Sequence, residues 1–319
     1  MMTDWRPAAS LENLKLRAEL LRKLRTFFDA RGLLEVETPV LSRAGSTDRH
    51  LGSFRIDDAQ GSRYLHTSPE FPMKRLLAAG SGDIWQVCKV FRADEVGRFH
   101  NPEFTLIEWY RLGFDQHRLM REVAELVATL VPSVAGEPEY LTYREAFQRH
   151  AGIDPFQMDA QLCRSALQNA GREPPAVTEL DDDDWLDLVA GELVYPALGQ
   201  HGIAFVYDYP ANQAALARIR PDEPPVAERF EAFVRGVELA NGFHELADPD
   251  EQRRRFEGDL ERRRDDGLPM VPMDEHLLQA LGQGFPDCAG VALGFDRLAM
   301  LATDAVSVEN VIAFPWQRA

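Results

Sequence analysis

Residues 86–110, QVCKVFRADEVGRFHNPEFTLIEWY, constrain the fold more than any other stretch. They contain two apolar runs joined by a short charged loop, the pattern of paired strands. Alternation places Phe104, Leu106, Glu108 and Tyr110 on one face, with Phe104 and Glu108 about 13 Å apart. On the preceding run Gln86, Cys88, Val90, Arg92 and Asp94 share a face, and Arg92 sits at its open end. An aromatic, a carboxylate and a phenol in line beside a guanidinium suit a nucleotide whose phosphates lie next to a cationic substrate.

The remaining composition narrows the class. At 319 residues and 45% hydrophobic content, the chain can build one large core or two modest ones. The start, MMTDWRPAAS, has no basic-then-apolar export signal, and no apolar run is long enough to span a bilayer. Cys88, Cys163 and Cys288 are too scattered for a disulfide framework or zinc site, so they read as buried small residues in a reducing cytoplasm. A net charge of −17 disfavours broad nucleic-acid binding. The cluster Arg253–Arg255 with Arg262–Arg264 reads as a solvated helix face.

Along the chain, Ser10 starts a helix with Leu11, Leu14, Ala18, Leu21, Leu24 and Phe28 on one stripe, stopped by Gly32. LLEVETPVL reads as a strand ended by Pro39. YLHTSPEF is a strand entering a helix at Ser68-Pro69, with Glu70 in its first turn. Residues 115–200 read as a mostly helical insertion in a single domain spanning 1–319. Within it, Asp181–Asp184 supply a helix cap. FVYDYP returns to strand. RFEAFVRGVELANGFHEL follows, with Phe230, Ala232, Val234, Gly236 and Glu238 expected on one face. Asp248-Pro249-Asp250-Glu251 opens another helix, and GVALGFDRLAML is a strand turning into a helix. Gly290, Ala292 and Gly294 share a face there, which leaves room for close approach to the backbone. Hairpin connections near these motifs favour an α+β fold, an antiparallel sheet flanked by helices. No Gly-rich phosphate loop is present, so nucleotide binding must use arginines and strand faces.

GLLEVETPVL with Pro39, TSPE, FRADE…RFHNPEFTLIEWY, ELANGFHEL and GVALGFDRL occur in that order. In these five signatures the chain resembles class II aminoacyl-tRNA synthetase catalytic domains, specifically the lysyl branch, over nearly its whole length. The first signature begins about thirty residues in, leaving no room for the N-terminal anticodon-binding barrel of a lysyl enzyme. The expectation is therefore the freestanding branch whose members join (R)-β-lysine to a lysine of elongation factor P, with no stable tRNA binding. Ala292 stands where lysyl enzymes usually carry glycine and the freestanding branch alanine.

The resemblance implies ATP and Mg²⁺ as cofactors. Arg92 would hold the α-phosphate, Arg98 and His100 the outer phosphates, and Phe104 and Arg297 the adenine. Asp94, Asn101, Leu239 and Gly294 would border the nucleotide, and Glu238 and Glu245 would hold the metal. Arg92 and Arg297 would be the catalytic groups. The amino acid would meet Ser68, Pro69, Glu70, Glu108, Tyr110, Asn241, Glu245 and Ala292, because two ammonium groups need several acids to replace their hydration. Where the family usually reads Arg-Asn-Glu, this chain has Arg92-Ala93-Asp94, which shortens one side chain by a methylene, so that its contact with the nucleotide lengthens or runs through water, and removes an amide. Dimerisation through the first signature is also implied, with residues 34–39 on the two-fold axis. Three other readings are open: a free amino-acid activator of the asparagine-synthetase type, a lysine-activating enzyme with another acceptor, and a catalytically impaired binding module. The three acids Glu70, Glu108 and Glu245 disfavour the first, since they would repel a dicarboxylate.

Overall fold

A computed structural model describes residues 5–93, 95–134, 136–157, 159–175 and 180–319. Chain contacts gather into two compact units, Met1–Gly113 with Ala247–Ala319, and Phe114–Leu246.

The first unit begins with α1 (Leu11–Asp29), capped as expected by the Ser10 hydroxyl, which accepts from the Asn13 N–H. The buried stripe differs from the expected one: Leu20, Leu24, Phe27 and Phe28 are buried, while Leu11 is 70% exposed. Aromatic packing at the C-terminal end selects this face, with Phe28 stacked on Trp85 at 4.7 Å and tilted against Trp109 at 5.3 Å. LLEVETPVL is not one strand. It splits into β1 (Leu34–Glu35) and β2 (Leu41–Ser42), and pairing with residues 83–85 stops after Val36. Pro39 has no N–H to extend a ladder.

A hairpin of β3 (Arg55–Asp58) and β4 (Gly61–Leu65) joins β2 in a three-stranded sheet. It leads to α2 (Glu70–Ala78), then to β5 (Ile84–Phe91) and β6 (Glu103–Leu112).

The second unit holds α3 (Gln116–Leu130), β7 (Glu139–Thr142), α4 (Tyr143–His150), α5 (Ala160–Asn169) and α6 (Asp182–Val189). It continues with β8 (Ile203–Pro210), β9 (Ile219–Arg220), β10 (Val226–Val234) and β11 (Val237–His244). Asp181 caps α6 in a reciprocal capping box with Asp184. Its strands run β11-β10-β8-β7, with β9 also on β10, antiparallel except for β7 against β8. Tyr143, Phe147, Trp185, Tyr209 and Phe233 fill the space under its helices.

The chain then returns to the first unit through α7 (Pro249–Asp265), α8 (Glu275–Leu281), β12 (Cys288–Gly294) and α9 (Phe295–Thr303). There the order is β1-β5-β6-β12, antiparallel except for β1. The arginine cluster of α7 is not uniformly solvated. Arg254 is exposed, but Arg263 is 3% exposed and donates to the carbonyls of Asp48 and Pro269 at 2.7 and 2.8 Å. Five donors on one side chain let it satisfy loop carbonyls no helix reaches. No helix among the described residues is long and apolar enough to cross a membrane.

Phe28 is fully buried between two tryptophans. Phe28→Ala should destabilise the chain by about 3–5 kcal/mol in urea unfolding; a loss under about 1 kcal/mol would mean that the surrounding rings close over the gap.

Candidate active site

In the first unit the site is organised by the register of β5, β6 and β12. Tyr110 lies between Ile84 and Gly290, Glu108 between Gln86 and Ala292, and Leu106 between Cys88 and Gly294. Phe104 lies opposite Val90 at the far end. Directly opposed residues share a face, so the expected row exists, and the small residues of β12 leave the backbone beside it open. Arg92 follows the end of β5, and Asp94 lies outside the described residues.

Glu108 is the centre of the row. It is 2% exposed, and each oxygen accepts a hydroxyl: Ser68 Oγ donates to Oε2 at 2.7 Å and Tyr110 OH to Oε1 at 2.7 Å. Ser68 Oγ also accepts the Glu70 N–H at 2.9 Å, so one hydroxyl starts α2 and holds Glu108. Pro69 occupies the N-cap position with no side-chain bond to offer. Glu70 pairs one turn on with Lys74 at 2.7 Å, and Lys74 is 1% exposed. That buried lysine was missed, although its spacing of four from Glu70 is visible in the sequence.

At the Phe104 end of the row, the Arg92 guanidinium carbon sits 5.0 Å from the Phe104 ring centre. Arg92 donates to Glu95 Oε1 at 3.1 Å and to the Thr67 carbonyl at 3.4 Å. Arg297, in the first turn of α9, meets His100 Nε2 at 2.6 Å through Nη2. Asp296 beside it is structural: its Oδ2 accepts the Thr105 N–H at 2.8 Å, and its Oδ1 pairs with Arg17 at 2.5 Å. Arg98 is exposed and donates through Nε to the Val306 carbonyl at 2.6 Å. Asn101 is 7% exposed and engaged on both sides, donating to the Glu103 carbonyl at 2.7 Å and accepting the Trp316 N–H at 2.9 Å.

Cys88 is half-buried on this face, not fully buried as expected. Burial, reinforced by the charge of Glu108, pushes its thiol up to about 12 against a hydrogen bond from Gln86. At neutral pH it is a thiol and not a nucleophile.

In the second unit, residues 230–238 do not form one continuous face. Arg235 and Gly236, both with positive φ (52° and 74°), turn the chain between β10 and β11. A Cβ on Gly236 would come within 2.9 Å of the Pro196 carbonyl oxygen, so glycine is required there. Ala232 pairs with Ala240 but Phe233 with Glu238, which makes Leu239 an extra, bulged residue and re-aims Glu238.

Glu231, absent from the sequence reading, anchors this strand pair. It is 5% exposed, forms an ion pair with Arg229, and accepts from Asn241 Nδ2 at 3.3 Å. Burial raises its carboxyl to about 7; Arg229 pulls against the rise and the like charge of Glu238 adds to it. With Nδ2 so engaged, Asn241 Oδ1 is buried without a hydrogen-bond partner among the described residues. Leu239 and Glu245 are each 2% exposed, and Glu245 forms a bridge to Ala217. Strand alternation alone could have flagged Glu231, two positions from Arg229, as a same-face pair.

This frame of strands, with an arginine entering α9 and another over an aromatic, defines a class II synthetase catalytic fold. Residues 1–318 match the class II tRNA synthetases (D, K and N), and the chain belongs to that family. It is similar to the elongation factor P–(R)-β-lysine ligase of Vibrio cholerae serotype O1, 49% identical over 323 residues that cover 99% of each chain. The protein of the same name from Salmonella dublin is 49% identical over 321 residues, covering 99% of this chain and 98% of that one.

Removing Glu231 would leave Arg229, half-buried beside Tyr209, without its counter-charge. Glu231→Ala should therefore cost about 3–5 kcal/mol of stability; a thermal midpoint equal to wild type would show that the Arg229 charge is relieved in another way.

Proposed function

We propose that this chain activates (R)-β-lysine with ATP and transfers it to the side-chain amine of a lysine on elongation factor P. The observation that carries the reading is Glu108, a buried carboxylate held by two hydroxyls with Ala292 on its flank, in a chain 49% identical end to end to ligases of that name. A diamino acid brings two ammonium groups out of water, and Glu70, Glu108, Glu245 and Asn241 Oδ1, which has no hydrogen-bond partner among the described residues, are oxygen acceptors suited to them.

In the first step the amino-acid carboxylate attacks the α-phosphorus of ATP and pyrophosphate leaves. A carboxylate is ionised at neutral pH, so this step needs no base. Arg92 takes up charge on the α-phosphate, and Phe104 and Arg297 bracket the adenine. His100, 2.6 Å from Arg297, and the exposed Arg98 meet the outer phosphates. Leu239 and Gly294 border the nucleotide. Glu238 and Glu245 are hard oxygen donors that would hold Mg²⁺, and the ion would supply charge neutralisation for the phosphates. In the second step the acceptor amine, having lost its proton, attacks the acyl carbon of the adenylate and AMP leaves with the bonding pair. Two copies pair through residues 34–39, where Leu34 is 55% exposed.

The test is ATP–pyrophosphate exchange followed by mass spectrometry of elongation factor P. Exchange driven by (R)-β-lysine together with a matching mass gain on the factor is expected; label on tRNA instead would overturn the reading. Separately, Ala292→Gly enlarges the space beside Glu108 and should shift preference toward α-lysine, by on the order of 1–3 kcal/mol in relative kcat/KM. An unchanged preference would move that selectivity to another residue.

A further inference from the structure

Gln86 has no role in the activity described above, yet it stands beside the residue at its centre. It lies on β5 directly opposite Glu108, on the flank away from Ala292. The side chain is 3% exposed, and Oε1 is buried without a hydrogen-bond partner among the described residues. Cys88 lies two positions along the same face.

A buried acceptor left open is rare in a settled protein, because the group has lost water and gained nothing in exchange. Were Gln86 only filling space, methionine would fill it without that penalty. A donor that arrives on this face would satisfy it. Phe104, at the nucleotide end, lies four residues from Glu108, about 13 Å along the strand, so adenine is not the donor. Both Glu108 oxygens already accept hydroxyls, which leaves an incoming ammonium with N–H groups to place on other oxygens. An ammonium has three, and a neutral amide oxygen accepts one without adding a further repelling charge next to Glu108.

We propose that Gln86 is a substrate-binding, specificity-determining residue whose Oε1 accepts a hydrogen bond from an ammonium group of the bound diamino acid. This rests on the diamino-acid reading of the same site. Gln86 and Ala292 then flank Glu108 from two sides, one supplying an acceptor and the other a steric limit, so position and length of the amine are read together.

The test is ATP–pyrophosphate exchange by the full chain with (R)-β-lysine varied at saturating ATP, then with ATP varied at saturating amino acid. Gln86→Met should raise the amino-acid KM roughly tenfold, the loss of one hydrogen bond to a charged donor, with the ATP KM within about twofold of wild type. Gln86→Glu places a charge where the ammonium docks and should change the amino-acid KM at least about threefold with ATP again unaffected; it decides the matter if Gln86→Met does not fold. An amino-acid KM within about twofold of wild type, or amino-acid and ATP KM values rising together, would overturn the assignment of Gln86 while leaving the activity intact. Wild-type chain that shows no exchange with either lysine isomer would overturn the activity and, with it, this role.

Discussion

The carboxylate of Glu108 is the point on which the first unit turns. A buried acid is costly unless its oxygens are satisfied, and two hydroxyls do so here, one from the start of α2 and one from its own strand. The Ser68 bond ties the loop before α2 to the middle of β6, and the register of β6 places Gln86 and Ala292 on either side. A slip of one residue in either pairing would turn Glu108 to the opposite face. The aromatic packing of Phe28 on Trp85 and Trp109 guards against that slip from the other side of the strands.

The two ends of the row differ in kind. Toward Tyr110 the groups are oxygen acceptors in a buried setting, where a cation gains most. Toward Phe104 they are guanidinium and imidazole groups, half-buried or exposed, that suit phosphates and an aromatic base. A reaction that brings a carboxylate to a phosphorus needs its two reactants held in fixed order along one line, and a strand supplies that line with side chains at regular intervals. Asp296, although part of the same signature as Arg297, serves only to fasten α9 to β6 and α1.

Much of this was legible in the residues because period-two alternation converts directly into a shared face. The row from Phe104 to Tyr110, the strand-to-helix turn at Gly294 and the cap at Asp181 needed nothing beyond local rules. What was not legible depended on pairing. The first signature reads as one strand but yields only two short pieces, because Val36 is the last residue with a partner across the ladder. Glu238 appeared to extend the face of β10 until a turn and a bulge intervened. Gln86, Lys74 and Glu231 are polar residues whose burial comes from neighbours distant in sequence; only the local partners of the last two, Glu70 and Arg229, can be read from spacing. Asp94 lies where the structure offers no description.

The loop carrying Arg98 and His100 is fastened by the far end of the chain. The Val308 N–H donates to the Arg98 carbonyl at 2.9 Å, the Val306 carbonyl receives Arg98 Nε, and the Trp316 N–H reaches Asn101. During synthesis, that loop emerges some two hundred positions ahead of the groups that hold it. A nascent chain therefore carries this loop unfastened until residues 306–316 have emerged to hold it.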